Sequence, residues 1–162
     1  MESVEDVLKG AILLEERGRA FYTHAAGEAK SPGVREVFAL LAEEEEKHKQ
    51  YLARLLGEYL RSGQIRPGSG APLEMSAAVL TEEVRKAVEA AEFEAAAIYA
   101  GMALEEKAIA FYMEKAKQAP PELAQIYQGL ARWEQTHLEL LMALDEELRK
   151  RIWYERSFWP LD

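Results

Sequence analysis

A chain of 162 residues with 49% hydrophobic content can bury one sizeable core, and six prolines with ten glycines are too few for disorder or a turn-rich β fold. A net charge of −9 excludes a broad nucleic-acid footprint, and the absence of cysteine excludes disulfides, thiolate chemistry, iron–sulfur clusters and a four-cysteine iron site. The acidic start "MESVEDVLKGAILLEERG" lacks a signal peptide's basic residues and long apolar run, and no stretch approaches a membrane span, so a soluble cytoplasmic protein is expected.

Apolar periodicity predicts a first helix over about 3–29, ended by "KSPGV", in which Pro32 suits the first turn of the next helix. A second helix is expected over about 33–61. "RSGQIRPGSGAP" then breaks any helix, and within the connection of 62–90 "LTEEVRKAVEAA" can form a short helix capped by Thr81. A third long helix is expected over about 91–118, and "APPEL" opens a fourth over about 121–152. The aromatic tail 153–162 reads as irregular, capping the bundle or packing on a neighbouring subunit.

Short turns within the first and last pairs imply two antiparallel hairpins, 3–61 and 91–152, and the long connection between them can cross a whole bundle. The expectation is a single all-α domain, an antiparallel four-helix bundle with one long crossover between its second and third helices. The same connection permits a homodimer, with or without exchange of hairpins between chains.

The halves repeat. "LLEERGRAFY" at 13–22 aligns with "ALEEKAIAFY" at 103–112, and "LLAEEEEKHKQYL" at 40–52 aligns with "GLARWEQTHLELL" at 129–141. A pseudo-twofold bundle follows, whose axis is lined symmetrically.

Core stripes of bundle helices step alternately by three and four residues. The second helix gives Val34, Phe38, Leu41, Glu45, His48, Leu52, Leu55 and Tyr59, and the fourth gives Tyr127, Leu130, Glu134, His137, Leu141, Leu144 and Leu148. The first helix places Glu15 between Ala11 and Gly18, with Tyr22 beyond; the third places Glu105 between Gly101 and Ala108, with Tyr112 beyond. Glu43, Glu44 and Glu46 fall on the flank or surface, as do Glu16, Glu106 and His24. Trp133 reads as packing at a helix or subunit contact.

Four carboxylates in one apolar core must be protonated, paired with basic side chains or bound to cations. No Lys or Arg falls on the stripes at this level. Two divalent ions balance four carboxylates, and two neutral imidazoles complete the set. Oxygen and imidazole donors without thiolate suit iron or manganese, with zinc as a substitute. A single Glu-x-x-His carries little weight. Two copies in repeat register, each matched by an inward Glu on the preceding helix, form the ligand pattern of ferritin-like dinuclear carboxylate bundles.

On "LLEERGRAFY", "EEEEKH", "ALEEKAIAFY" and "WEQTH", the chain resembles the rubrerythrin branch of the ferritin-like superfamily across both hairpins. The resemblance implies that Glu45 and Glu134 bridge two metals, that Glu15 and Glu105 each bind one, and that His48 and His137 each cap one. It implies that Tyr22 and Tyr112 orient the ligand carboxylates, and that the protein scavenges peroxide with electrons from an external donor. Two departures accompany it: Ala108 stands where rubrerythrins carry a further Glu, and there is no rubredoxin-like iron centre. The symmetric set also resembles bacterioferritin ferroxidase centres and manganese catalases. The alternatives are therefore a ferroxidase that handles iron, a catalase-like activity, or a metal-stabilised module without turnover.

Overall fold

The computed structural model describes residues 2–66, 80–89 and 92–156, and these are all helix or connection. Helix α1 spans Val4–Glu28, α2 Pro32–Ser62, α3 Glu82–Lys86, α4 Glu92–Gln118 and α5 Pro121–Arg156. Helix α5 continues four residues beyond its expected end, so the tail's first residues are helical; 157–162 lie outside the described residues, as do 67–79 of the crossover. No described helix is long and apolar enough to cross a membrane.

Helix boundaries follow from capping chemistry. Ser3 opens α1 with a capping box: its hydroxyl accepts from Asp6 N–H while the Asp6 carboxylate accepts from Ser3 N–H. Ser31 caps α2 with Pro32 in its first turn, and α2 ends at Gly63, whose φ of 69° is left-handed and costs a glycine little. Thr81 caps the short α3 as its position predicts.

Helices α1 and α2 form one antiparallel hairpin and α4 and α5 the other; the hairpins meet along an α1/α4 seam and an α2/α5 seam. The end of the crossover is pinned to the start of α2. Gly33 N–H donates to Ala87 O at 3.0 Å, and Ser31 Oγ accepts from Glu89 N–H at 2.9 Å. Gly33 permits this approach, because a Cβ there would lie 2.6 Å from Val84 O. Buried Glu94 of α4 completes the joint, accepting from Lys30 and Ser31 N–H at 2.5 and 3.2 Å. These bonds set the height at which one hairpin faces the other.

The core is in two parts. One gathers Tyr22, Phe38, Ile98, Leu141 and Leu144, and the other Leu8, Leu52, Tyr112, Tyr127 and Leu130. Between them lies a layer of buried Glu and His side chains. A Leu buried there would contribute roughly 2 kcal/mol, whereas each buried charge costs several kcal/mol unless compensated. The layer lowers the stability of the metal-free bundle, so its explanation is functional.

Candidate metal centre

All six residues picked out by the stripes converge on this layer. Glu15, Glu45, His48 and Glu134 place one ligand atom each within 4.8 Å of one another, and so do Glu45, Glu105, Glu134 and His137. The two groups share Glu45 and Glu134. Glu15 with His48 belongs to one group alone, and Glu105 with His137 to the other.

Both imidazoles turn Nδ1 toward the carboxylates. His48 Nδ1 lies 3.2 Å from Glu15 Oε2 and 3.1 Å from Glu134 Oε1. His137 Nδ1 lies 3.0 Å from Glu45 Oε1, 3.3 Å from Glu134 Oε2 and 3.5 Å from Glu105 Oε1. The two rings stack with centroids 5.3 Å apart. Glu134 Oε2 is buried without a hydrogen bond, its contact with His137 Nδ1 being the 3.3 Å approach already given.

Two tyrosines brace the terminal carboxylates crosswise. Tyr22 of α1 donates its hydroxyl to Glu105 Oε1 of α4 at 2.6 Å, and Tyr112 of α4 donates to Glu15 Oε1 of α1. Each tyrosine thus holds the glutamate of the opposite hairpin in one rotamer. Gly101 makes room for Tyr22, since a Cβ at 101 would sit 3.2 Å from its ring.

The electrostatics are those of anions crowded away from water. Burial, and then the neighbouring Glu134 and Glu15, push Glu45 well above the usual carboxyl range. Burial and Glu134 raise Glu105 to about 8. Burial alone would raise Glu134 as well, but its contacts with His137 and His48 hold it well below that range. Burial opposes the charging of His48, yet Glu15 and Glu134 outweigh it and raise that imidazole to about 9. His137 is raised in the same way by Glu105, Glu134 and Glu45, against its burial. Protons therefore stand in for cations when the metal-free site is closed.

A cavity of about 110 Å³ opens beside the four glutamates, in the α1/α4 seam. Gly18 and Ala108 line it, as do the exposed Arg17 and Lys107, and each pair is equivalent in the internal repeat. Gly18 is tightly fitted, because a Cβ there would approach Glu45 Oε2 to 3.0 Å. On the opposite α2/α5 seam, Trp133 is 5% exposed and stacks on His48 at 4.0 Å between centroids.

One expectation needs correction. Glu44 is not on the flank or surface: it is 4% exposed, and it forms a third close group with His48 and His137. The stripe misplaced it because α2 buries a second row, Val37, Glu44 and Tyr51, against α5. The heptad spacing of those three is the signal that could have found it. Glu94 was also missed, since its carboxylate caps a turn distant in sequence. His24, Glu43 and Glu106 are exposed, Glu46 is half-buried, and Glu16 pairs with Arg19 and Lys49, as solvated or ion-paired residues should be.

Among known protein families, the rubrerythrin family matches residues 6–104, more than half of the chain. The fold and the layer of buried Glu and His side chains agree with a ferritin-like domain of the diiron-carboxylate class. The chain belongs to the rubrerythrin family. Comparison with curated proteins and with solved structures gives no match. Glu15, Glu45 and His48 lie inside the matched segment; Glu105, Glu134 and His137 follow it and rest on the repeat and the geometry.

Proposed function

We propose that Glu15, Glu45, His48, Glu105, Glu134 and His137 hold two divalent ions, iron foremost and manganese as the alternative. The protein is then an oxidoreductase that reduces O2 or H2O2 at that pair, with peroxide scavenging as its role. The observation that carries this reading is that two four-residue groups share Glu45 and Glu134. Two carboxylates common to both groups are what an ion pair requires and what isolated buried ion pairs do not.

The donor set fits the ions. Four carboxylates balance a charge of +4 and two neutral imidazoles complete the set without thiolate, and Glu134 Oε2 is buried among them without a hydrogen bond. Two such ions, when bound, supply two electrons together for breaking an O–O bond. The protein contributes the rest. Glu45 and Glu134, common to both groups, would hold both ions, while Tyr22 and Tyr112 keep Glu105 and Glu15 aimed inward. The two apolar cores exclude water from above and below, and the α1/α4 cavity admits a molecule the size of peroxide. Tyr22 lines that cavity and holds a hydroxyl proton at Glu105 Oε1. Reduction of H2O2 to two waters takes two electrons and two protons, and an external donor in the cytoplasm returns the electrons.

The test is to load the protein with Fe²⁺ under anaerobic conditions and add H2O2. Rapid oxidation of the iron with stoichiometric loss of peroxide is expected. Iron that stays reduced while peroxide persists would overturn the assignment, and a hollow multi-subunit shell by mass would favour the ferroxidase.

A further inference from the structure

The internal repeat makes the outer faces of α1 and α4 comparable, and there the halves differ. Over 95–104, "AAAIYAGMAL", α4 carries no charged residue for almost three turns. Ala96, Tyr99, Ala100 and Ala103 of that stretch are exposed, Tyr99 by 67%. Carried along the same helices, the alignment sets Asp6 against Ala96 and Lys9 against Tyr99. Both α1 residues are exposed and bonded within their own turn, Asp6 to Ser3 and Lys9 to Glu5. The equivalent face is solvated on one helix and stripped of charge on the other. A helix apolar all round is one that something covers.

The order of the outer row on α4 identifies what covers it. The row is symmetric about Ala103: Ala96 and Ala110 stand seven residues to either side, Phe93 and Met113 ten, and all are exposed. A second α4 laid antiparallel across a twofold axis at Ala103 sets Phe93 against Met113, Ala96 against Ala110 and Tyr99 against Lys107. Alanines at and near the axis let the helices approach to about 8 Å, the close end of helix packing. Lys107 is in no ion pair among the described residues, and the ring of Tyr99 offers its ammonium a face. Glu106, opposite Ala100, meets no like charge. The strip from Phe93 to Met113 is about 30 Å long. Leu13 of α1, 61% exposed, extends it at the Met113 end, because Gly10 and Glu15 on either side of it lie against Phe111 and Tyr112. A helix pair of this length stands at the low end of specific interfaces, under the usual ~800 Å² per partner, so the association is reversible.

We infer that α4 pairs with α4 of a second copy of this chain, antiparallel about Ala103. The pairing is independent of what the buried glutamates and histidines bind. It does reach the site: Tyr99 of the second copy stands at Lys107, which lines the α1/α4 cavity. The second copy therefore borders that cavity on its α4 side, while Arg17 on α1 faces solvent.

Because the chain has no cysteine, single cysteines map the pairing. Under mild oxidation Ala103→Cys is expected to form a disulfide-linked dimer at least about tenfold faster than Glu139→Cys on the exposed face of α5, which reacts only by collision. Ala96→Cys and Ala110→Cys should each cross-link poorly alone and readily when mixed, since the antiparallel register opposes them. Wild-type protein should sediment as a dimer at high concentration, and Tyr99→Glu combined with Ala103→Glu as a monomer with unchanged helical content, both positions being exposed. Ala96→Cys that links to itself as fast as to Ala110→Cys, or Ala103→Cys no faster than Glu139→Cys, would overturn the pairing. So would a wild type that stays monomeric, or a dimer that persists in the charged variant and is therefore held elsewhere, as by exchanged hairpins.

Discussion

The two seams that join the hairpins are built to opposite specifications. Along α1/α4 the residues beside the ligands are Gly18 and Ala108, the tyrosines reach across, and a cavity opens to solvent. Along α2/α5 the corresponding space is filled by stacked rings, Trp133 on His48 on His137, with Leu140 and Tyr51 packed nearby. One seam leaves room for an exogenous molecule; the other is filled by the imidazoles and Trp133, with the buried carboxylate of Glu44 beside them. A symmetric ligand set thus gains a front and a back from its neighbours alone.

The comparison fails most completely if both seams lose their shared carboxylates. Glu45→Ala or Glu134→Ala is expected to abolish two-ion binding, a larger effect than the ~10–100-fold that loss of an outer partner causes. Metal content after dialysis against a chelator reads it out. Next in size is an obstruction confined to the open seam. Ala108→Leu should fill the cavity and slow iron oxidation by H2O2 while both ions remain bound; Trp133→Phe, on the closed seam, should leave that rate nearly unchanged. Stopped-flow absorbance on anaerobically loaded protein separates the two.

Removal of a brace should act on affinity more mildly. Tyr112→Phe and Tyr22→Phe each free one terminal carboxylate, and about tenfold weaker binding at the position of Glu15 or Glu105 respectively is expected, measured by calorimetry.

The smallest effect is one of pH on the metal-free protein. Glu105, raised to about 8, keeps a proton in the folded state that it loses in the unfolded chain near its ordinary value. His48, raised to about 9, does the same above an ordinary imidazole value. In both cases the folded state binds more protons, so stability falls as pH rises. The melting temperature of the metal-free protein should decline by several degrees between about pH 5 and pH 9, at roughly 2–4 °C per kcal/mol for a domain of this size. Divalent ions, which replace those protons, should flatten or reverse the trend. A metal-free melting temperature that rises over this range would contradict the buried, proton-holding cluster.

Much of this was legible from spacing. Glu45, His48, Glu134 and His137 interrupt leucine stripes at one level, and a repeat that returns the same interruption cannot be surface decoration. Glu15 and Glu105 followed because small residues flank each of them on their stripes. Glu44 was not legible in the same way, since a run of four glutamates reads as solvated until a second buried row on α2 is known. The partner of each tyrosine was hidden too, because the pairing of Tyr22 with Glu105 and of Tyr112 with Glu15 crosses between hairpins and depends on their relative height.

The amino-acid order by itself determined the long helices, the Thr81 cap and six of the inward polar side chains, because these depend on period and on neighbours within a turn or two. It also showed that the inward carboxylates need protons, basic partners or cations, since no Lys or Arg shares their stripes. The tertiary structure alone decided which carboxylates both close groups share, which seam is open and which imidazole Trp133 covers. Those are contacts between residues some thirty to ninety positions apart, and their geometry is set by how the α2 turn, the crossover and Glu94 lock one hairpin against the other.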